Sequence, residues 1–298
     1  MQPRPLPTSI RHRPFHVAEA RHLGVSDERL RRRDLVLPTR GIRWRSDEPP
    51  EGIDRIRAVA PLMLPGWFVS HTSAAELWDL PIPRRHRGGD VHLTSPQPHA
   101  QTRRPGLVGH RTRPEYRAVR PRWGVPTSSP ATTWVECGSL LGLDELVVLG
   151  DAIVGRHQLD TGIEDLHEVL DARPRCRGAV RLRAALELVR VGSGSPKETE
   201  LRLVIVRAGF PEPSLQVPIL DVRGNRVGRV DMAYPSRRLI IEYEGDQHRT
   251  DDLQWASDIR RYRDFERLGW STLRVTKRDL DVHLAALLEV LAERLGYR

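Results

Sequence analysis

The stretch RVGRVDMAYPSRRLIIEYEG (226–245) decides how the C-terminal part of the chain folds. It contains two β-like runs, RVGRVDMAY and RLIIEYEG, and a third, LQVPILDV (215–222), precedes them across an Arg223-Gly224-Asn225 turn signal. Glu242 and Glu244 are two residues apart, so the pleat sets both on one face, while Leu239, Ile241 and Tyr243 take the other. Two carboxylates on an apolar, central strand repel each other, and burial adds to the cost. A divalent cation is the expected compensation. Mg²⁺ (or Mn²⁺) prefers oxygen ligands and keeps several waters, so Asp231, across the hairpin, and Glu242 suffice as metal ligands. A cation there polarises a phosphodiester, lowers the pKa of a bound water and stabilises the leaving oxygen.

Working outward, Ser195 and Pro196 occupy N-cap and N1 positions of a helix that carries Glu198 and stops at Gly209. Glu198 is placed as a further ligand or water bridge. Gln247 and His248 follow the acidic pair and are expected to orient water or touch phosphate. DLQWASDIRRYRDFERLG (252–269) reads as a helix, WSTLRV (270–275) as a strand and LDVHLAALLEVLAERLG (280–296) as a closing amphipathic helix. The order is αβββαβα, a mixed sheet flanked by helices. Each acid alone has an ordinary reading, as a solvated edge-strand or turn carboxylate, and His248 alone reads as a surface histidine. Their succession behind a Glu-bearing helix is what points to chemistry.

RVDMAYPSRRLIIEYEGDQHR (229–249), followed by DIRRYRDFERLGWSTLRVT (258–276), resembles a domain of unknown function related to the very-short-patch-repair endonucleases, within the PD-(D/E)XK superfamily. The resemblance covers residues 195–280. It implies that Asp231 and Glu242 hold the metal, that Glu244 stands after the spacer, and that Glu198 is the helix acid. His248, Asp258, Arg261, Gly269 and Trp270 match the remaining signature. Asp258 and Arg261, three apart on a helix, are placed to face the sheet as a pair, structural or catalytic. Two departures stand out: Glu244 replaces the superfamily's Lys, and Met232 replaces the usual aromatic after Asp231.

The front of the chain has a different character. Residues 1–150 hold 23 Arg and no Lys against 15 acids, a net charge of +8 out of +9 for the whole chain. Such an excess favours nucleic acid by phosphate neutralisation and counterion release. FHVAEARHLGVSDERLRRRDLVLPTRGIRW (15–44) reads as a short helix ending near Gly24, a second helix capped by Ser26, and a hairpin or wing, the order of a winged helix-turn-helix. Arg29, Arg31, Arg32 and Arg33 are then expected to face DNA phosphates or base edges; a solvated Arg face on a small helical fold is the alternative. This stretch and SHTSAAELWDLP (70–81) are similar to the N-terminal regions of AbiEi-type antitoxins of type IV toxin–antitoxin systems, DNA-binding autorepressors. That similarity implies DNA as a partner, with a homodimer and a toxin as further expected partners.

The 298 residues suffice for two or three domains. The expected organisation is α/β (α+β): a flexible tail (1–14), a winged helix-turn-helix domain (15–65), a mixed α/β antitoxin-like middle domain (66–190), a linker (191–196) and a PD-(D/E)XK endonuclease-like domain (197–298). No run of eighteen apolar residues occurs, the N-terminus has no apolar signal region, and Cys137 and Cys176 form no CxxC pair. A cytoplasmic protein with no membrane partner is expected. The enzyme reading is a Mg²⁺-dependent DNA endonuclease; the competing one is a transcriptional regulator whose nuclease fold is not catalytic.

Overall fold

The computed structural model describes residues 4–37, 39–45, 51–98, 102–245 and 252–297, the side chains of 252–259 excepted. It is mixed α/β and divides into two compact units: residues 1–149 with 158–187, and residues 150–157 with 188–298. The expected linker (191–196) therefore falls inside the second unit, together with two short segments expected in the middle domain, 150–157 and 188–190.

The first unit opens with α1 (Thr8–Arg11), β1 (Phe15–His16), α2 (Val17–His22), α3 (Asp27–Leu30), β2 (Leu35–Val36) and β3 (Ile42–Arg45). The three strands pair antiparallel in the order β1-β3-β2. Residues 4–14 are not a loose tail: Leu6 and Ile10 are buried with Phe15, Ala20, Leu30 and Leu35. Apolar side chains at 6 and 10 outweigh the Pro- and Arg-rich composition around them. Ser26 caps α3 through the Arg29 amide at 3.3 Å, as its sequence position predicts. The helix is a single turn, however, and Arg31, Arg32 and Arg33 lie in the turn after it.

The same unit continues with α4 (Gly52–Arg57), β4 (Phe68–Val69), α5 (His71–Leu77), β5 (Val91–Pro96), β6 (Leu107–Thr112), β7 (Val119–Arg122), β8 (Val125–Ser128), α6 (Pro130–Cys137), α7 (Leu143–Val154), α8 (Ile163–Asp171) and α9 (Ala179–Leu186). The division between the units runs through α7. Strands β4 to β8 form a five-stranded sheet of order β6-β5-β4-β8-β7. The β5–β6 pair is parallel, with Thr94 opposite His110, and β4 is antiparallel to β5. Ser129 and Pro130 start α6, whose fully buried Trp134 donates its indole N–H to the Leu146 carbonyl at 2.8 Å.

The second unit carries α10 (Pro196–Arg207), β9 (Ser214–Leu220), β10 (Arg226–Tyr234), β11 (Leu239–Glu244), α11 (Asp252–Arg267), β12 (Ser271–Thr276), α12 (Lys277–Asp281) and α13 (Leu284–Leu295). The sheet order is β12-β11-β10-β9, antiparallel except for the β11–β12 pair, which α11 connects. The element order follows the sequence expectation, save that the closing helix breaks into α12 and α13. A Thr276–Asp279 capping box starts α12. The sheet has a core on each face. One packs Met232, Tyr234, Leu239, Ile241 and Val275 with Leu201 and Ile205 of α10 and Leu287, Leu291 and Leu295 of α13. The other packs Ile219, Val230, Ala233 and Ile240 against Phe265 of α11. Gly228 permits that second packing, because a Cβ there would stand 2.9 Å from the Phe265 ring.

Candidate functional site

The acidic residues of the second unit sit where β10 and β11 run side by side. Met232 pairs with Ile241. Asp231, one residue before, and Glu242, one residue after, thus occupy neighbouring positions on the two strands. Glu242 is 6 % exposed, and burial raises its carboxyl above the ordinary range. The Tyr262 hydroxyl and the Arg261 and Arg274 guanidiniums oppose that rise, while the Asp231 charge adds to it. Tyr262 donates to Glu242 Oε2, and Arg261 Nη2 lies 3.6 Å from the same oxygen. Glu244, half-exposed, pairs instead with Arg274 Nε at 3.1 Å. Arg274, opposite Glu242 in the parallel register, stacks its guanidinium 3.8 Å from the Tyr262 ring centre.

Glu198 stands on the Ser195-capped helix where its sequence position sets it. It lies in the first turn of α10, where its carboxylate accepts the Gly194 amide at 2.7 Å, a local interaction that secures the start of the helix. Burial raises its carboxyl as well. Gln247 and His248 lie outside the described residues, as does the Asp258 side chain. Arg261 faces Glu242 rather than serving only as the partner of Asp258. Sequence reasoning does not single out Tyr262 or Arg274. The signal for Tyr262 is its place one residue after Arg261 on a helix facing the sheet; that for Arg274 is its place on the strand parallel to the acidic one.

Chemically, a buried carboxyl with a raised proton affinity beside a second carboxylate is a donor set that a hard divalent cation would stabilise. Asp231 and Glu242 are the two carboxylates that could hold such a cation. They do not form a compact three-ligand cluster with Glu244, whose carboxylate is turned to Arg274.

In the first unit the basic residues separate into two kinds. Arg29 is not turned to solvent: its guanidinium grips Asp34 at 3.0 and 2.7 Å, and its Nε donates to the Arg4 carbonyl at 2.6 Å. Arg32 lies 3.8 Å from Glu28, a weak i,i+4 pair. Arg31 and Arg33 are exposed.

A second cluster in this unit has no counterpart in the sequence expectations. His71 at the start of α5, His92 on β5 and His110 on β6 bring three imidazoles together, with ring centroids 3.7 Å (His71–His110), 5.1 Å (His92–His110) and 5.4 Å (His71–His92) apart. His92 Nδ1 and His110 Nε2 are 2.8 Å apart and share one proton as a hydrogen bond. Among the described residues, these three are the one group of His, Cys, Asp or Glu whose ligand atoms lie within 4.8 Å of each other. They line a cavity of about 890 Å³ with Glu136, Tyr116, Arg173 and Cys176. Burial and the neighbouring imidazoles hold His71 well below its ordinary range; burial brings His92 and His110 to about 4. Burial also raises Glu136 to about 7. The motif-free spacing of 71, 92 and 110 conceals the cluster, since strand pairing alone unites them.

Two uncharacterized proteins of Mycobacterium tuberculosis, from strains CDC 1551 and H37Rv, are similar to the chain, each 31 % identical over 153 residues. The match covers 51 % of this chain and 55 % of either relative, so the chain spans about half the length of the curated relatives it matches. No family model and no solved structure matches the chain. Among the described residues no helix is long and apolar enough to cross a membrane.

Proposed function

We propose that this is a DNA-binding protein whose second unit is a PD-(D/E)XK-type, metal-dependent endonuclease hydrolysing phosphodiester bonds. The observation that carries the reading is the adjacency of Asp231 and Glu242 on β10 and β11, with Glu242 buried and its proton affinity raised. The element order around them, α10-β9-β10-β11-α11-β12, agrees with it. Asp231 and Glu242 would hold Mg²⁺ or Mn²⁺, which when bound supplies Lewis-acid activation of water and charge stabilisation on the leaving oxygen. The chain's own groups do the rest. Tyr262 and Arg261 orient the Glu242 carboxylate, and Arg274 holds Glu244 at the rim of the site.

In the first unit, the order α1-β1-α2-α3-β2-β3 with a β1-β3-β2 sheet supports a winged helix that binds DNA. Arg31 and Arg33 are its exposed phosphate-binding side chains, and Arg29 is a structural residue. One observation favours the competing reading, a DNA-binding regulator with a silent nuclease fold: Arg and Tyr side chains already compensate Glu242 and Glu244. Cleavage of supercoiled plasmid and mismatched duplex in Mg²⁺ or Mn²⁺ decides between them. Wild type should nick or cut, while Asp231→Ala and Glu242→Ala should each lose at least about a hundredfold in rate. Equal cleavage by all three proteins rejects the endonuclease.

A further inference from the structure

The acidic pair leaves the three histidines of the first unit without a role. The geometry points to a second metal centre: a three-histidine site for a divalent transition-metal ion of the zinc class, formed by His71, His92 and His110 at the wall of a cavity of about 890 Å³.

Three separate elements deliver the ligands. His92 and His110 stand on the parallel strands β5 and β6, offset by two residues along the register, so both rings rise from one face. His71 enters from the end of β4, where the Ser70 amide bonds the His92 carbonyl at 3.1 Å. An ordinary buried histidine finds a hydroxyl or carbonyl partner. Here two of the rings find each other, at 2.8 Å, with one proton standing between two nitrogens. An ion can replace that proton. Zinc takes imidazole nitrogens at roughly 2.0–2.1 Å, which sets tetrahedral ligands about 3.4 Å apart. The pair must open slightly, and the stacked rings must fan for their lone pairs to converge. The cavity side leaves room for that rotation.

The surroundings are those of a ligand set. The Ser70 hydroxyl lies 2.9 Å from His71 Nδ1 and receives the Thr94 hydroxyl at 2.7 Å. A Nδ1–H donated to Ser70 leaves His71 Nε2 as the metal-facing atom, an outer hydrogen bond of the kind common to metal-bound imidazoles. His71 holds φ at +53°, a left-handed conformation that costs a non-glycine residue energy. The half-buried Glu136, at the cavity wall, fixes it there by accepting the His71 amide at 3.1 Å. Three protein ligands with the fourth position open to the cavity is the pattern of an exchangeable rather than a closed site. An all-imidazole set selects zinc, copper, nickel or cobalt over magnesium and calcium. The site is thus chemically distinct from Asp231 and Glu242, and it stands or falls independently of the nuclease reading.

The test is titration of chelator-stripped full-length protein with Zn²⁺, in excess Mg²⁺, followed by calorimetry, with Co²⁺ as a spectroscopic probe. Wild type should bind one equivalent and give the visible absorption of four- or five-coordinate Co²⁺. His92→Gln and His110→Gln should each weaken binding by about a hundredfold with an unchanged far-ultraviolet spectrum, while Asp231→Ala, Glu242→Ala and Cys176→Ser should not. A wild type without a saturable equivalent, or histidine variants that bind as wild type does, overturns the proposal. If both variants fail to fold, X-ray absorption of the Zn²⁺-loaded wild type decides. A shell with three imidazoles supports the site, and a carboxylate or thiolate shell rejects it.

Discussion

The Tyr262 hydroxyl donates its hydrogen bond to the buried carboxylate of Glu242. Burial and that carboxylate push the Tyr262 phenol up to about 12, so it stays a donor at any working pH. It is one of the groups restraining the rise in the Glu242 carboxyl. Tyr262→Phe removes the restraint, so Glu242 will ionise at higher pH than in wild type. Since protons compete with a cation for the same oxygen, the onset of Mg²⁺ binding will move towards alkaline pH. The variant will also lose about 1 kcal/mol of stability. Calorimetric Mg²⁺ titrations across the pH range read the shift directly; superimposable profiles would remove Tyr262 from the site.

A cation held by Asp231 and Glu242 binds the folded chain alone, so Mg²⁺ must raise the unfolding temperature. At ten times the dissociation constant the gain is about 1.4 kcal/mol, and a chelator should remove it. Asp231→Asn leaves one carboxylate and should abolish the Mg²⁺-dependent increment. Differential scanning fluorimetry with and without Mg²⁺ checks this. An increment that survives in Asp231→Asn places the cation elsewhere.

For DNA binding, Arg29 and its neighbours Arg31 and Arg33 should behave differently. Arg29 is tied to Asp34 and the Arg4 carbonyl, so Arg29→Ala will lower stability while leaving the salt dependence of binding unchanged. Arg31 and Arg33 are exposed. Each cation withdrawn from a phosphate reduces the slope of log K against log salt by about 0.9, so the Arg31→Ala/Arg33→Ala double variant should lower it by roughly 2. Fluorescence anisotropy at several salt concentrations measures both slopes. A double variant with the wild-type slope would exclude these side chains from the interface.

What the sequence could reveal follows from how local each signal is. The strands carrying Asp231 and Glu242 were legible because period-two alternation and a Gly-centred turn act within a few residues. Ser195 and Ser26 mark helix starts by equally local capping chemistry, whereas the Thr276 cap that splits the closing helix went unread. The length of α3 was not legible. An Arg run reads as a helical face, but Arg29 is drawn back to Asp34 and the chain turns at once. The buried ends at Leu6 and Ile10 were hidden among Pro and Arg. His71, His92 and His110 were invisible for a deeper reason: their meeting depends on which strands pair, and single-sequence spacing says nothing of that.

Within the second unit, Arg202 and Asp151 form an ion pair at 2.9 Å with each side chain 1 % exposed. Glu212, Thr199, the Leu188 carbonyl and the Arg190 amide complete the network. Removing one partner strands the other charge out of water, so Asp151→Ala or Arg202→Ala should cost about 3–5 kcal/mol. Paired replacement by apolar residues of similar volume, Asp151→Leu with Arg202→Met, should cost far less. Urea unfolding of the two single variants and the double gives the coupling. Additive losses would show that the residues act separately.

The cavity of the first unit sets a pH dependence of stability in metal-free protein. His92 and His110 sit at about 4 instead of 6.5 because burial disfavours their charged forms. Their contribution is complete above pH 6.5 and is lost as pH falls towards 4, where the unfolded chain takes up protons that the folded chain refuses. His71, held well below its ordinary range, acts in the same direction. Glu136 acts in the opposite one. Raised by burial from 4.5 to about 7, it contributes fully below 4.5 and loses that contribution as pH rises through 7. Between these limits the unfolded chain binds a net one to two protons more, so stability should rise with pH by about 1.4–2.7 kcal/mol per unit at the steepest point. Glu136→Gln keeps an acceptor for the His71 amide but removes the opposing titration. Its stability should therefore climb more steeply between pH 5 and 7 and exceed wild type at pH 8. Urea midpoints at pH 5, 6, 7 and 8 measure both curves. Parallel curves would mean that Glu136 titrates as an ordinary carboxylate, and a wild-type midpoint that falls from pH 5 to 7 would mean that the histidines are not held neutral.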